Sequence, residues 1–391
     1  MSEARQRARE FGVRIGSMAT GVANAITDVG DVRVGQVTLI AGDGELVPGT
    51  GPVRTGVTVV LPHGGNLFRE KVPCAIHVIN GFGKCMGQEQ IEELGNLEGP
   101  IALTGTMNVG RVVDAVVSYG VRENPDIGIQ TSTINPVVGE CSDMFLNDQQ
   151  GRHVREEHVL AAIDSARGGA VDEGAVGAGT GMSAFGFKGG IGTSSRVTPE
   201  RLGGWTVGVL VLANYGRREQ LRIDGVPVGE SVGDEAWGMR DEKQSNSTPP
   251  SPIPHAPSPD DTERGSIMMI VATDAPLLDR GLRRLARRAG IGLARTGSIA
   301  GNGSGDYVIA FSVSEKVRVA HEPVGLTQTV EIVVEDGPAI DALFQATVEA
   351  TEEAILNALF KAETMTGRDG NTREALPLDR VREIMVAHGR L

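Results

Sequence analysis

Residues 240–274 read RDEKQSNSTPPSPIPHAPSPDDTERGSIMMIVATD, and the fold turns on how this stretch divides. Residues 240–264 hold six prolines, four serines and eight charged residues, with Ile253 the only large aliphatic side chain. Such a segment cannot bury enough apolar surface to offset the entropy of ordering it, which predicts a linker or tail over about 240–265. At Ser266 the character changes within one residue. SIMMIVATD (Ser266–Asp274) is an apolar run of strand type. Ala275-Pro276 then opens an amphipathic pattern through about Ala289, which predicts a helix with Asp274 as its N-cap.

Of four Gly-Ser pairs, at 16–17, 265–266, 297–298 and 303–304, only Gly265-Ser266 joins a polar tether to the first residue of a buried-type strand. That context suits self-cleavage. Glycine permits a strained backbone, the hydroxyl attacks its own preceding carbonyl, and water resolves the ester. The α-amine this frees has an unperturbed pKa of roughly 7.7–8, so one residue supplies both nucleophile and general base near neutral pH. The plainer reading is a serine that merely opens a strand after a domain boundary.

The rest of the chain reads as mixed α/β. Strand-like runs are predicted at Thr58–Leu61, Ile127–Thr131, Trp205–Asn214, Asp306–Val313 and Thr329–Glu335. Helical patterns span Val109–Tyr119, Glu156–Arg167, Ala339–Glu363 and Leu378–His388. A net charge of −13 argues against a nucleic-acid partner, which would require a basic surplus on at least one face. The arginines at 280, 283, 284, 287 and 288 stripe one helix face and read as solvated or turned toward a neighbouring acidic surface.

Several chemistries lack their residues. Cys74, Cys85 and Cys141 show no CxxC spacing and read as reduced thiols. Seven histidines form no HxxxH or HExxH pair, so no metal site and no cofactor is expected. GAGTGMSAFGFKGGIG (Gly177–Gly192) fits neither phosphate-loop pattern in register, and no GxSxG elbow occurs. The N-terminal residues lack the apolar stretch of a secretory signal, and no apolar run reaches about 18 residues, so a cytoplasmic, non-membrane protein is expected.

Long stretches carry a resemblance more specific than any single motif. They include NAITDVGDVRVGQVTL (24–39), GPVRTGVTVVLP (51–62), LEGPIALTGTMNVGRVVDAV, PVVGECSDMFLND, the 177–192 segment, WTVGVLVLANYGRREQLRIDGVPVG and LARTGSIAGNGSGDYVIAFS. With GSIMMIVATDAPLL, these resemble the L-aminopeptidase/D-esterases and β-peptidyl aminopeptidases, fold relatives of ornithine acetyltransferase. The resemblance implies a four-layer α/β/β/α sandwich in which residues 1–265 and 266–391 fold as one unit after scission at Gly265. It implies that Ser266 is the nucleophile, that Asn214 is the side-chain half of the oxyanion hole, and that Ser304 and Asp306 contact the nucleophile and its amine. Under it, the 177–192 segment lines the active-site floor, and a homotetramer of cleaved heterodimers is expected.

Residue chemistry agrees with these roles. Asn214 ends an apolar run, where a strand gives way to a turn, and Ser304 and Asp306 lie two apart, on one face of a strand. Glu140 is a candidate for holding the substrate's free ammonium. After Asp143, where relatives often read Gly-Tyr, this chain has Met144-Phe145; Phe145 thus lacks a hydroxyl and bears on substrate range. The expected substrate is a small peptide, or an amino-acid amide or ester. An acyltransferase, a hydrolase of cyclic or synthetic amides, and an uncut binding protein stay open as alternatives.

Overall fold

The computed structural model describes residues 5–232, 264–322 and 325–391. The predicted linker lies outside the described residues as far as residue 263. Two sheets carry the architecture. The first has the order β1 (Arg33–Ala41), β2 (Val53–Leu61), β6 (Ile101–Gly105), β7 (Val137–Cys141) and β4 (Cys85–Met86). The second runs β10 (Gly190–Val197), β11 (Thr206–Asn214), β12 (Arg264–Thr273), β13 (Gly303–Ser312), β3 (Glu70–Gly81) and β14 (Val319–Ala320), with β5 (Asn96–Leu97) paired to β3. Two hairpins, β8 (Ser183–Ala184) with β9 (Phe187–Lys188) and β15 (Met365–Thr366) with β16 (Thr372–Arg373), are separate.

Two neighbouring pairs, β6 with β7 and β12 with β13, are parallel. Parallel strands need a long crossover, and helices Val109–Glu123 and Asp279–Arg295 supply the two. The unbroken apolar run of β12 follows from burial on both faces. Met268 and Ile270 join a core with Leu210, Ile309 and, from the first sheet, Leu103 and Val137. Ile267, Met269 and Val271 join another with Leu282 and Leu285 of the crossover helix and Ala350 and Ala354 of helix Pro338–Lys361. A strand covered on both sides needs no polar alternation, and each such side chain contributes roughly 1.5–3 kcal/mol. The start of β12 is therefore held firmly. On the first sheet, Val57, Val59 and Ala102 form a further core with Val112, Val116 and Val159.

Helix Pro338–Lys361 lies against β10 at contact distance. A Cβ on Gly192 would stand 2.0 Å from the Ala354 carbonyl oxygen, so the small residues of this segment serve close packing. Wholly buried Arg196 bridges to Glu349 at 3.2 Å and to Glu353 at 2.6 Å, compensating the carboxylates that this helix carries inward.

Three local expectations are corrected. Ile127–Thr131 is a turn, not a strand: the Asp126 carbonyl accepts the amides of Ile129, Gln130 and Thr131, and Gly128 takes a positive φ. Thr329–Glu335 forms no ladder; Val333 bonds the Pro276 carbonyl at 2.9 Å, and Glu335 is drawn to Arg280 and Arg284. The helix after β12 starts at Asp279, capped by Leu278, and runs to Arg295. Asp274 instead accepts the Thr206 amide at 2.8 Å, which ties it to the start of β11 rather than to a helix.

Candidate active site

The chemistry-bearing residues gather where β11 ends and β12 and β13 begin. Antiparallel pairing sets Asn214 opposite Ser266, and parallel pairing sets Ser266 beside Gly305. Paired residues share a face of the sheet, so Asn214 and Ser266 project to the same side as Met268. Ser304 and Asp306 alternate to the other side, the side of Gly265. In register they stand beside Gly265 and Ile267, and the Ser304 hydroxyl donates to Asp306 Oδ1 at 2.6 Å.

Ser266 is 6% exposed and its hydroxyl donates to the Gly265 carbonyl at 2.6 Å. The Gly305 amide approaches the same hydroxyl at 3.3 Å. Gly265 has φ +145°, and a Cβ there would stand 2.2 Å from the Asn214 carbonyl oxygen, so both conformation and space demand glycine. The nucleophile candidate is thus aimed at the bond that precedes it. Asn214 Oδ1 accepts the Ser183 amide at 2.8 Å, which fixes the side-chain amide and turns its Nδ2 donors the other way.

Glu140 closes another side of the site. It is the penultimate residue of β7, is 3% exposed, and accepts the Lys84 amide at 3.0 Å and the Thr106 hydroxyl. Burial raises its pKa, against the pull of Thr106 and of the Lys84 ammonium 3.9 Å away. Gly83 separates Glu140 from the serine: a Cβ on it would lie 3.2 Å from Gly305 Cα and 3.4 Å from Glu140 Oε1. The carboxylate therefore sits one residue from Gly305. Phe145 is half-buried and carries the Arg373 guanidinium 3.5 Å from its ring centroid.

Three comparisons with known proteins bear on this site. The sequence model of peptidase family S58 matches residues 24–373. The chain belongs to that family. This S58 peptidase is 43% identical to the β-peptidyl aminopeptidase BapA of Sphingosinicella xenopeptidilytica, over 97% of this chain and 91% of that one. Among solved structures it is similar to a Burkholderia sp. β-aminopeptidase, with TM-score 0.84, 41% identity, and 98% and 99% of the two chains covered. It is also similar to the L-aminopeptidase D-Ala-esterase/amidase of Ochrobactrum anthropi, described as a variant of the Ntn hydrolase fold, with TM-score 0.84, 38% identity, and coverage of 98% and 99%.

Four further residues of the site were not legible in the sequence. Thr106 follows β6 directly and could have been found as a polar residue at a strand end. Ser183 and Arg373 come from short hairpins far apart in sequence, and no local pattern marks them. Lys188 looked like a failed phosphate loop; it is wholly buried and donates to the carbonyls of Gly179, Met182 and Gly189 at 2.8–2.9 Å, holding the loop that presents Ser183. Among the described residues no group of three or more His, Cys, Asp or Glu is placed to hold a metal ion. No described helix is long and apolar enough to cross a membrane.

Proposed function

We propose that the chain cuts itself between Gly265 and Ser266 and then acts as an aminopeptidase whose nucleophile is the N-terminal Ser266. The observation that carries this is the hydroxyl of Ser266 donating to the carbonyl of a conformationally obligate glycine. In self-cleavage, Ser266 Oγ attacks the Gly265 carbonyl carbon and the C–N bond breaks, which leaves an ester and a free amine. Water then hydrolyses the ester, leaving a carboxylate on Gly265.

The mature enzyme is an aminopeptidase-type hydrolase that uses the same atoms on a substrate. Ser266 Oγ attacks the scissile carbonyl while its own α-amine takes the hydroxyl proton and passes it to the leaving amine. Asn214 Nδ2 and a backbone N–H stabilise the oxyanion. Ser304 and Asp306, on the Gly265 side of the sheet, hold the freed α-amine. Glu140 pairs with the substrate's ammonium, which restricts hydrolysis to unblocked N-termini. Water then releases the acyl group.

The reading extends to a four-layer α/β/β/α sandwich in which residues 1–265 and 266–391 remain one unit, and to a homotetramer of such pairs. Three separate apolar cores, one between the sheets and one on the far face of each, support the layering. The function is tested with aminoacyl p-nitroanilides offered with free and with N-acetylated amines. Hydrolysis of the free form alone is expected; turnover of the acetylated form contradicts the ammonium anchor.

A further inference from the structure

Beside the oxyanion asparagine stands a cation that the proposed mechanism does not use. Arg373 ends β16, its guanidinium stacked on Phe145, and its Nε donates to Ser183 Oγ at 3.1 Å. The same Ser183 donates its backbone N–H to Asn214 Oδ1 at 2.8 Å. One residue therefore links the guanidinium to the amide that marks where the scissile carbonyl oxygen binds. The two terminal nitrogens of Arg373 have no hydrogen-bond acceptor among the described residues, and no described carboxylate lies within ion-pair distance. Its charged neighbour is a second arginine, Arg218, stacked over Phe187 and likewise without a carboxylate partner among the described residues. Burial and the Arg218 charge push Arg373 down to about 10, so it stays cationic at neutral pH.

A half-buried guanidinium facing like charge, in a protein of net charge −13, is an arrangement that an anion would stabilise. Its position says which anion. Hydrogen bonds of 2.8 and 3.1 Å, in series with the N-to-Oγ span of the serine between them, put the guanidinium within about 9 Å of Asn214 Oδ1; one extended residue covers about 3.5 Å, and the guanidinium fork with its own hydrogen bond reaches about 5 Å further. A carboxylate one or two residues beyond the scissile bond therefore falls within reach of the fork.

We propose that Arg373, pre-oriented by Phe145 and Ser183, is a specificity-determining residue that binds the free α-carboxylate of the leaving peptide. The proposal rests on the aminopeptidase reading and sharpens its substrate class to di- and tripeptides with a free C-terminus. It also gives Phe145 a use: an aromatic face without a hydroxyl is a platform for a guanidinium.

The test compares a dipeptide with its C-terminal amide, using the full-length protein and its Arg373→Gln and Arg373→Lys variants. The native protein is expected to favour the free acid. Arg373→Gln should raise KM for the acid about 10- to 100-fold and change KM for the amide less than about threefold, with Arg373→Lys between. Thermal unfolding checks that the variants fold; Arg373→Glu, which should invert the acid/amide preference, keeps the test decisive if Arg373→Gln is unstable. Equal hydrolysis of acid and amide, or an equal loss on both in Arg373→Gln, overturns this proposal alone. No hydrolysis of either by the native protein overturns the aminopeptidase reading as well.

Discussion

The hydroxyl of Ser266 donates a 2.6 Å hydrogen bond to the carbonyl oxygen of Gly265, the residue before it. A serine at the start of a strand has no need of that contact for pairing, because its backbone is already committed to Asn214 and Gly305. The contact becomes meaningful if the Gly265 carbonyl is the group attacked.

Gly265→Ala tests the geometry of that attack. The added methyl meets the Asn214 carbonyl at 2.2 Å and an unfavourable positive φ, so the start of β12 must shift. Processing is expected to slow at least about tenfold, since a displacement of about 1 Å can cost 100-fold in rate. A gel time course after translation reads this; wild-type processing in the variant counts against the strained-glycine argument.

Asn214→Ala should lower kcat about 100- to 1,000-fold with a small change in KM, as expected for a donor used mainly in the transition state. Steady-state kinetics on a p-nitroanilide measures both. A KM effect with kcat preserved assigns Asn214 to ground-state binding instead.

Glu140 ties activity to pH. Its pKa is raised by burial, so its proton binds more tightly in the folded protein than in the unfolded chain. Stability from this group is full below the ordinary glutamate pKa and is lost as pH rises through the raised value; the ionised form therefore costs stability near neutrality. An ammonium anchor nonetheless requires the ionised form. KM should accordingly rise as pH falls through the raised value, at a less acidic pH than an ordinary glutamate would give. Glu140→Gln should raise KM about 10- to 100-fold, flatten that dependence and increase the melting temperature. A variant with unchanged KM removes Glu140 from substrate binding.

Lys188→Met should destabilise the protein by about 2–4 kcal/mol, because three buried carbonyls lose their donor. As the same loop presents Ser183 to Asn214, kcat should also fall. Denaturant unfolding and kcat are read together; a stable variant with native kcat shows that the loop is held without the lysine.

What the sequence disclosed follows from where the physics is local. The run SIMMIVATD marked a doubly buried strand because both its faces are apolar, and the glycine before it marked a stretch of backbone that a side chain would strain. Strand β3 went unread: Pro73 and a polar end interrupt its pattern, and its burial comes from β13, more than 200 residues away. Asp274 was misread as a cap because its acceptor role depends on Thr206, a cross-strand partner. The 177–192 segment was expected on the active-site floor, but the parts played by Ser183 and Lys188 within it, like that of Arg373, acquire meaning only when hairpins remote in sequence meet beside Asn214.

The most direct measurement is the intact mass of freshly purified protein, alongside its Ser266→Ala variant. The account predicts two fragments from the native protein, residues 1–265 and 266–391, the second beginning SIMMIV, and one uncut, inactive 41.0 kDa chain from the variant. An active native protein that remains a single 41.0 kDa polypeptide, or an active Ser266→Ala variant, contradicts it.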